Sequence, residues 1–266
     1  MQAGIETINN ALNGPLTGSS KSSVSVTADL STPYWLVRQS AAHINHHLYH
    51  IYDVTNDRLE PILNEVRAEN MTIKSSQLSK KIPVSYTASD GMLIHGYVML
   101  PKGTDAAQAP LLVQAHGGPF SRAYGGSTPW QYMVNKGYVI FQPNFRASKG
   151  YGKKYMLAGK AEFSGRVQLD IKEGVEFLLS QGIGHKEKLG VFGHSFGGFS
   201  VLSLLSNYPD FFKAGFASAG PTELLSTLFK LDQKDINSYD GIPLIEALSY
   251  LLVDIDNGKQ ITRMNN

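Results

Sequence analysis

Five residues in the second half of the chain, Gly193-His194-Ser195-Phe196-Gly197, have the spacing that makes a serine a nucleophile. A serine hydroxyl is a poor nucleophile at its free pKa, so acyl transfer needs it lifted clear of its neighbours, close to a base and facing hydrogen-bond donors. The Gly-x-Ser-x-Gly spacing meets the first need. Glycines on both sides let neighbouring backbone come close while Ser195 sits on a sharp, strained strand-to-helix turn. That turn also aims the amide of Phe196, at a helix N-terminus, toward the place where an oxyanion would form.

A second donor is expected from His116-Gly117-Gly118-Pro119, where a glycine pair directly after a strand lets the amide of Gly117 or Gly118 face the same carbonyl. The plain alternative for these four residues is a Gly-Pro turn. No base follows the elbow. All eight histidines, at positions 43, 46, 47, 50, 95, 116, 185 and 194, precede Ser195, and His194 is expected to point away from the hydroxyl and pack. The cluster His43-Ile44-Asn45-His46-His47-Leu48-Tyr49-His50 could be read as metal ligands, but its aromatic, β-rich surroundings favour a polar hairpin edge. No metal and no cofactor are expected.

Strands alternating with helices must hold these residues. Leu111 to Ala115 leads into the glycine pair, Lys188 to Phe192 enters the elbow, Phe196 to Asn207 leaves it as a helix, and Lys213 to Ser218 is one more strand. Between them the pattern predicts a helix from Thr128 to Lys136, a strand from Tyr138 to Gln142 and an amphipathic helix from Val167 to Ser180, ending near Gly182. Upstream, Ile82 to Ala88 and Met92 to Leu100 form a hairpin about Ser89-Asp90-Gly91. This alternation argues for a largely parallel sheet covered on both faces. Ahead of it, Tyr34 to Val37, Leu48 to Val54 and Leu59 to Val66 read as antiparallel strands, and Ser75 to Lys81 as a linker.

Composition excludes several classes. With 266 residues and 42% apolar content the chain can bury a full core, while a net charge of +2 with 17% charged residues gives no basic field for nucleic acid. The absence of cysteine removes disulfides, thiolate metal sites and cysteine nucleophiles together. No apolar run approaches the roughly 18 to 20 residues that span a bilayer, so no membrane association is expected. The first twenty residues lack the basic and apolar regions of a signal peptide, which leaves the cytoplasm as the default compartment.

With these motifs in place, the chain resembles the prolyl oligopeptidase family of serine peptidases, especially its acylaminoacyl-peptidase and dipeptidyl-peptidase branches. The resemblance runs from about Leu59 to Lys230. It rests on His116-Gly117-Gly118-Pro119, on Pro143-Asn144-Phe145-Arg146-Ala147-Ser148-Lys149-Gly150-Tyr151-Gly152, on Asp170 with Gly174, and on Gly193-His194-Ser195-Phe196-Gly197-Gly198. Ala147 departs from the family, which usually has glycine there. The resemblance implies an α/β-hydrolase fold lacking its last strands, preceded by a small β segment like the end of a β-propeller. The two pieces would be residues 1–78 and 79–266.

The resemblance also implies roles. Ser195 would be the nucleophile, Phe196 with Gly117 or Gly118 the oxyanion donors, and Phe196, Leu224 and Leu228 the walls of an apolar, uncharged substrate pocket. The leucines could equally pack the helix Thr222 to Leu231 onto the sheet. In the family His116 shapes its loop, and the acid and histidine lie on loops after two further strands. The expected function is therefore hydrolysis of short peptides through an acyl-enzyme on Ser195, by a chain that lacks the triad Asp and His and is inactive alone. A carboxylesterase-like hydrolase and a non-catalytic fragment that only binds are the alternatives. The expected partners are a peptide substrate and, along the unpaired edge of Lys213 to Ser218, a second copy or a complementing C-terminal polypeptide.

Overall fold

The computed structural model describes residues 2–13, 23–28, 31–40, 48–62, 77–125, 129–222, 238–239 and 242–243. They fall into two compact units, one of residues 1–83, 99–102 and 124–137, the other of residues 84–98, 103–123 and 138–266. No helix among the described residues is long and apolar enough to cross a membrane.

The first unit opens with helix α1 (Gln2–Asn13), followed by an antiparallel sheet in chain order of β1 (Ser23–Thr27), β2 (Tyr34–Ser40), β3 (Leu48–Asp53) and β4 (Arg58–Ile62). Strict alternation sorts β2, so that Trp35, Val37 and Gln39 are buried while Tyr34, Leu36 and Arg38 face out. Ile8 of α1 packs with Trp35, Val37 and Tyr52 as a buried cluster, bordered by Leu12, Val24, Val26 and Leu59. The sequence reading missed both α1 and β1. Their signals were present, in Ile5, Ile8 and Leu12 at helical spacing and in the alternating valines of Ser23–Thr27.

The expected linker is also corrected. Leu78, Ser79 and Lys81 are buried, because the Gln131 carboxamide accepts from the Ser79 N–H (2.9 Å) and donates to the Ser79 carbonyl (2.8 Å), as a neighbouring strand would. Gln131 opens the short helix α2 (Gln131–Asn135), which is tighter than the predicted 128–136. Burial pulls the Lys81 ammonium pKa down to about 8, and that group donates to the Tyr124 carbonyl at 2.6 Å.

A six-stranded sheet of order β10-β9-β7-β8-β6-β5 carries the second unit. Its strands are β5 (Lys81–Thr87), β6 (Leu93–Met99), β7 (Leu111–Ala115), β8 (Val139–Asn144), β9 (Leu189–His194) and β10 (Ala214–Ser218). The pairs β8 with β7, β7 with β9 and β9 with β10 are parallel, as the strand-helix alternation predicts. The crossover elements are a short helix α3 (Lys153–Leu157), which the sequence reading did not see, then α4 (Arg166–Ser180) and α5 (Phe196–Asn207). On α4, Val167, Ile171, Val175 and Leu178 are buried at helical spacing, and Gly182 at φ 72° ends the run. Gly174 lets that face sit down on the sheet, since a Cβ there would lie 2.6 Å from Tyr86 Oη and 2.7 Å from the Phe141 ring. Among the described residues β10 pairs with β9 alone, and its Phe216 is 68% exposed.

Candidate active site

Local sequence makes the elbow. Ser195 stands between β9 and α5 at φ 57° and ψ −123°, a conformation that costs a non-glycine residue on the order of 1–3 kcal/mol. Glycines on either side permit it: a Cβ on Gly193 would collide with Gly197, and one on Gly197 would land on the Ala115 carbonyl at the end of β7. Gly198 is pinned in the same way, with its missing Cβ 2.8 Å from both Ser218 O and Gly220 Cα. The Ser195 N–H donates to Ser218 O at 2.9 Å, which ties the elbow to the end of β10.

The glycine pair comes to the same place. A Cβ on Gly117 would sit 3.6 Å from Ser195 Cβ and 3.3 Å from His194 O, and Gly118 turns the loop away at φ 117°. Ser195, the N-terminal turn of α5 with its Phe196 amide, and the Gly117-Gly118 backbone are thus brought together. The Phe196 side chain itself is buried, with its ring centroid 5.3 Å from Phe163, 5.4 Å from Phe199 and 5.9 Å from Phe145. Leu224, Leu228 and Leu231 lie outside the described residues, as do His43, His46, His47 and the expected helix after Thr222.

Each described histidine has a ring nitrogen engaged elsewhere. His50 is paired with Gln39, His95 with Ser85 and His185 with the Glu187 amide. His194 does not pack, as was expected of it; it is exposed at the last residue of β9, with Nδ1 3.1 Å from Ser218 Oγ. His116 is buried under the loop, its Nδ1 2.7 Å from Gly117 O and its Nε2 2.9 Å from Ser148 Oγ. Among the described residues no three His, Asp or Glu side chains are placed to hold a metal ion.

The Asn144-to-Tyr151 segment supports this site from behind, a role that sequence reasoning did not assign. Asn144 accepts from the Ala123 N–H (2.7 Å) and donates to Ala123 O (3.1 Å) and to Tyr151 Oη (2.8 Å), while the Arg122 guanidinium lies 4.3 Å over the Tyr151 ring. Arg146 makes a bidentate pair with Asp170, at 2.9 and 2.7 Å, and a second with Asp90, at 2.8 and 3.2 Å. Asn144, Arg146 and Ser148 are three polar side chains buried within five residues, and their partners lie too far off in sequence for spacing to signal it.

Burial pulls the His116 pKa down to about 4, opposed by its hydrogen bond to Gly117 and reinforced by the charge of Arg122. The ring is therefore neutral in the fold, whereas an unfolded histidine protonates near pH 6.5. Below that pH the unfolded state binds the extra proton, so stability should fall by about 3 kcal/mol from pH 6.5 to 4 on account of this group. Urea midpoints across that range should drop less steeply for His116→Gln than for the wild type. Equal slopes would mean that the ring is not buried neutral.

Residues 126–243 match the prolyl oligopeptidase family. Dipeptidyl aminopeptidase BIII of Pseudoxanthomonas mexicana is 31% identical over 212 residues, and dipeptidyl peptidase family member 6 of Caenorhabditis elegans is 32% identical over 225. Each match takes in 76% of this chain but only 30% of the relative, so the chain spans about a third of the length of the curated proteins it matches. Among solved structures, a puromycin-hydrolyzing peptidase of Mycobacterium tuberculosis superposes with a TM-score of 0.67 at 21% identity, over 86% of this chain and 33% of its own. An acylaminoacyl peptidase of Pyrococcus horikoshii gives 0.64 at 23% identity, over 80% and 33%. At those identities the superpositions speak for the fold, an α/β-hydrolase unit preceded by a propeller-like β segment. The family match, the two relatives above 30% identity and the shared fold agree, and the chain belongs to the prolyl oligopeptidase family of serine peptidases.

Proposed function

We propose that Ser195 is the nucleophile of a peptidase that cleaves short peptides, with the amides of Phe196 and of Gly117 or Gly118 holding the oxyanion. The observation that carries this reading is the left-handed backbone of Ser195 at the head of α5, with Gly117 set against it. A conformation of that cost persists only where its surroundings enforce it, and here those surroundings are arranged about one hydroxyl. Ser195 Oγ attacks the scissile carbonyl carbon and gives up its proton to a base, which passes it to the departing amine; water then releases the acyl group. Peptide substrates are supported by the relatives, two of which are named dipeptidyl peptidases. Phe196, Leu224 and Leu228 are proposed as the apolar pocket for the residue before the scissile bond. Residues 1–78 and 79–266 are proposed as the propeller-derived and catalytic pieces.

Within these 266 residues no histidine follows Ser195. We propose that the base and its acid come from outside them, on strands that continue the sheet past β10. That β10 pairs with β9 alone among the described residues, with Phe216 exposed, supports this edge as the place for a second copy or a complementing polypeptide.

Fluorophosphonate labelling read by intact mass tests both points. A polypeptide of these 266 residues should label slowly, because the probe needs a serine activated by a general base. Addition of a polypeptide that continues the sheet past β10 and carries an Asp and a His should speed labelling, and Ser195→Ala should abolish it. Stoichiometric labelling of the 266 residues within minutes would place a base inside them. Labelling untouched by Ser195→Ala would remove Ser195 from its role.

A further inference from the structure

The two proposed oxyanion donors come from different elements, yet one buried ring lies against a residue at each of them. Phe145, which directly follows β8, stacks on the His116 imidazole with centroids 4.1 Å apart and planes 16° from parallel. The same ring lies 5.9 Å from the ring of Phe196, tilted by 43°. Phe145 is wholly buried, and His116 and Phe196 are buried beside it. Phe196 carries one donor on its own backbone, while His116 shares a peptide unit with the Gly117 N–H. The imidazole also reaches Gly117 O at 2.7 Å, so a shift of that ring would carry the Gly117-Gly118 peptide with it. The glycines have no side chains of their own to hold them in place. Their anchor is the residue before them.

We propose that Phe145 is a positioning residue for the oxyanion hole: its ring, set against both His116 and Phe196, fixes the spacing between the two donor amides. Donors stabilise a developing oxyanion only if they already stand where the charge will appear, so what holds them apart matters as much as what they are. A close-packed interior passes a displacement on to its neighbours, and Phe145 is the neighbour common to both sides. Gly117 lies against Ser195, where a Cβ would fall 3.6 Å from Ser195 Cβ, so the spacing fixed in this way is spacing about the nucleophile. The inference rests on the reading of Ser195 as nucleophile and adds a side chain that touches no reacting atom.

The test is Phe145→Leu and Phe145→Met in the full 266-residue chain, with Phe141→Leu as the comparison. Phe141 is an equally buried ring on β8, set against Tyr86 and Gly174, so its loss removes core packing at a distance from both donors. Residual dipolar couplings of the backbone amides report the direction of each N–H, and the loss of a ring current does not shift them. In the Phe145 variants the couplings of Phe196 and of Gly117 or Gly118 should change; in Phe141→Leu they should keep their wild-type values. Ser195-dependent hydrolysis of an activated ester should fall about tenfold in the Phe145 variants, in kcat and not in KM, short of the roughly 10²–10³ lost when a donor is removed outright. In Phe141→Leu it should stay within about twofold. Phe145 variants with wild-type donor couplings would overturn the proposal, as would a Phe141→Leu chain that moves the donors equally. If neither Phe145 variant folds, wild-type relaxation decides: order parameters near 0.85 at both donor amides are expected, and a value below about 0.6 at Phe196, or at both glycines, would overturn it. The couplings need no turnover, so a wild type without Ser195-dependent hydrolysis would count against the nucleophile while the couplings still judge Phe145.

Discussion

A polypeptide of these 266 residues should hydrolyse an aminoacyl anilide about a millionfold more slowly than a complete serine-protease centre, because removing the histidine alone from such a centre costs about that much. At about 1.36 kcal/mol per decade the deficit is roughly 8 kcal/mol, more than any other single change considered for this protein. The elbow and the oxyanion donors remain, and they act on developing charge without help from the base, so trace hydrolysis of an activated ester should survive. Each of the five described histidines has a ring nitrogen engaged by a partner other than Ser195, and none is expected to substitute. The measurement is a pair of assays, anilide and activated ester, on the wild type and Ser195→Ala. Robust anilide turnover that Ser195→Ala abolishes would show that one of those histidines, or a group after Thr222, reaches the nucleophile.

How much of this was legible in the sequence depended on the range of the interaction. The elbow is local: Gly193, Ser195 and Gly197 carry their geometry within five residues, and the strand before and helix after them are ordinary patterns. The face of α4 is equally local, set by Val167, Ile171, Val175 and Leu178. Contacts between distant residues left no such trace. His116 and Ser148 are 32 positions apart, and Ser79 and Gln131 are 52 apart, so neither the support under the oxyanion loop nor the buried end of the supposed linker could be read from spacing. His194 was misjudged for a related reason. Packing was inferred from its position in the elbow, but in the fold it is exposed and meets Ser218, 24 positions away. Ala147 is a further case: the substitution for the usual glycine is visible in sequence, yet only the fold shows that it holds φ 83° while fully buried, with its methyl against Gly159. Strain of about 1–2 kcal/mol is there set against a buried methyl of about 0.8 kcal/mol, so Ala147 is close to neutral relative to glycine.

Replacing Arg146 by methionine should cost the fold about 3–5 kcal/mol, a large share of the 5–15 kcal/mol that typically holds a domain together. Asp170 is fully buried on α4, and its carboxylate accepts three hydrogen bonds from Arg146: two from the guanidinium and one from the backbone N–H at 2.9 Å. Burial already pushes the Asp170 pKa up against the pull of Arg146, and without the guanidinium it would be pushed up further. Its folded pKa would then lie above the unfolded value, and the variant would recover stability as pH falls, so the loss should be greatest near pH 7 and shrink toward pH 4. Asp90 has the opposite sign. Hydrogen bonds from Arg146 hold it at about 2, so in the wild type its contribution is present above pH 4 and fades as pH drops toward 2; in Arg146→Met it should titrate near the ordinary carboxylate value. Adding Asp170→Leu to Arg146→Met should restore part of the loss, since an apolar pair can replace a buried ion pair, but not all of it, because the Arg146 N–H would lose its acceptor at a cost of about 1–3 kcal/mol. Denaturant melts of the wild type, the single variant and the double variant at pH 7 and pH 4.5 decide the matter. A single variant that loses less than about 1 kcal/mol at pH 7 would mean that water reaches Asp170 and that the pair is a surface contact in all but position.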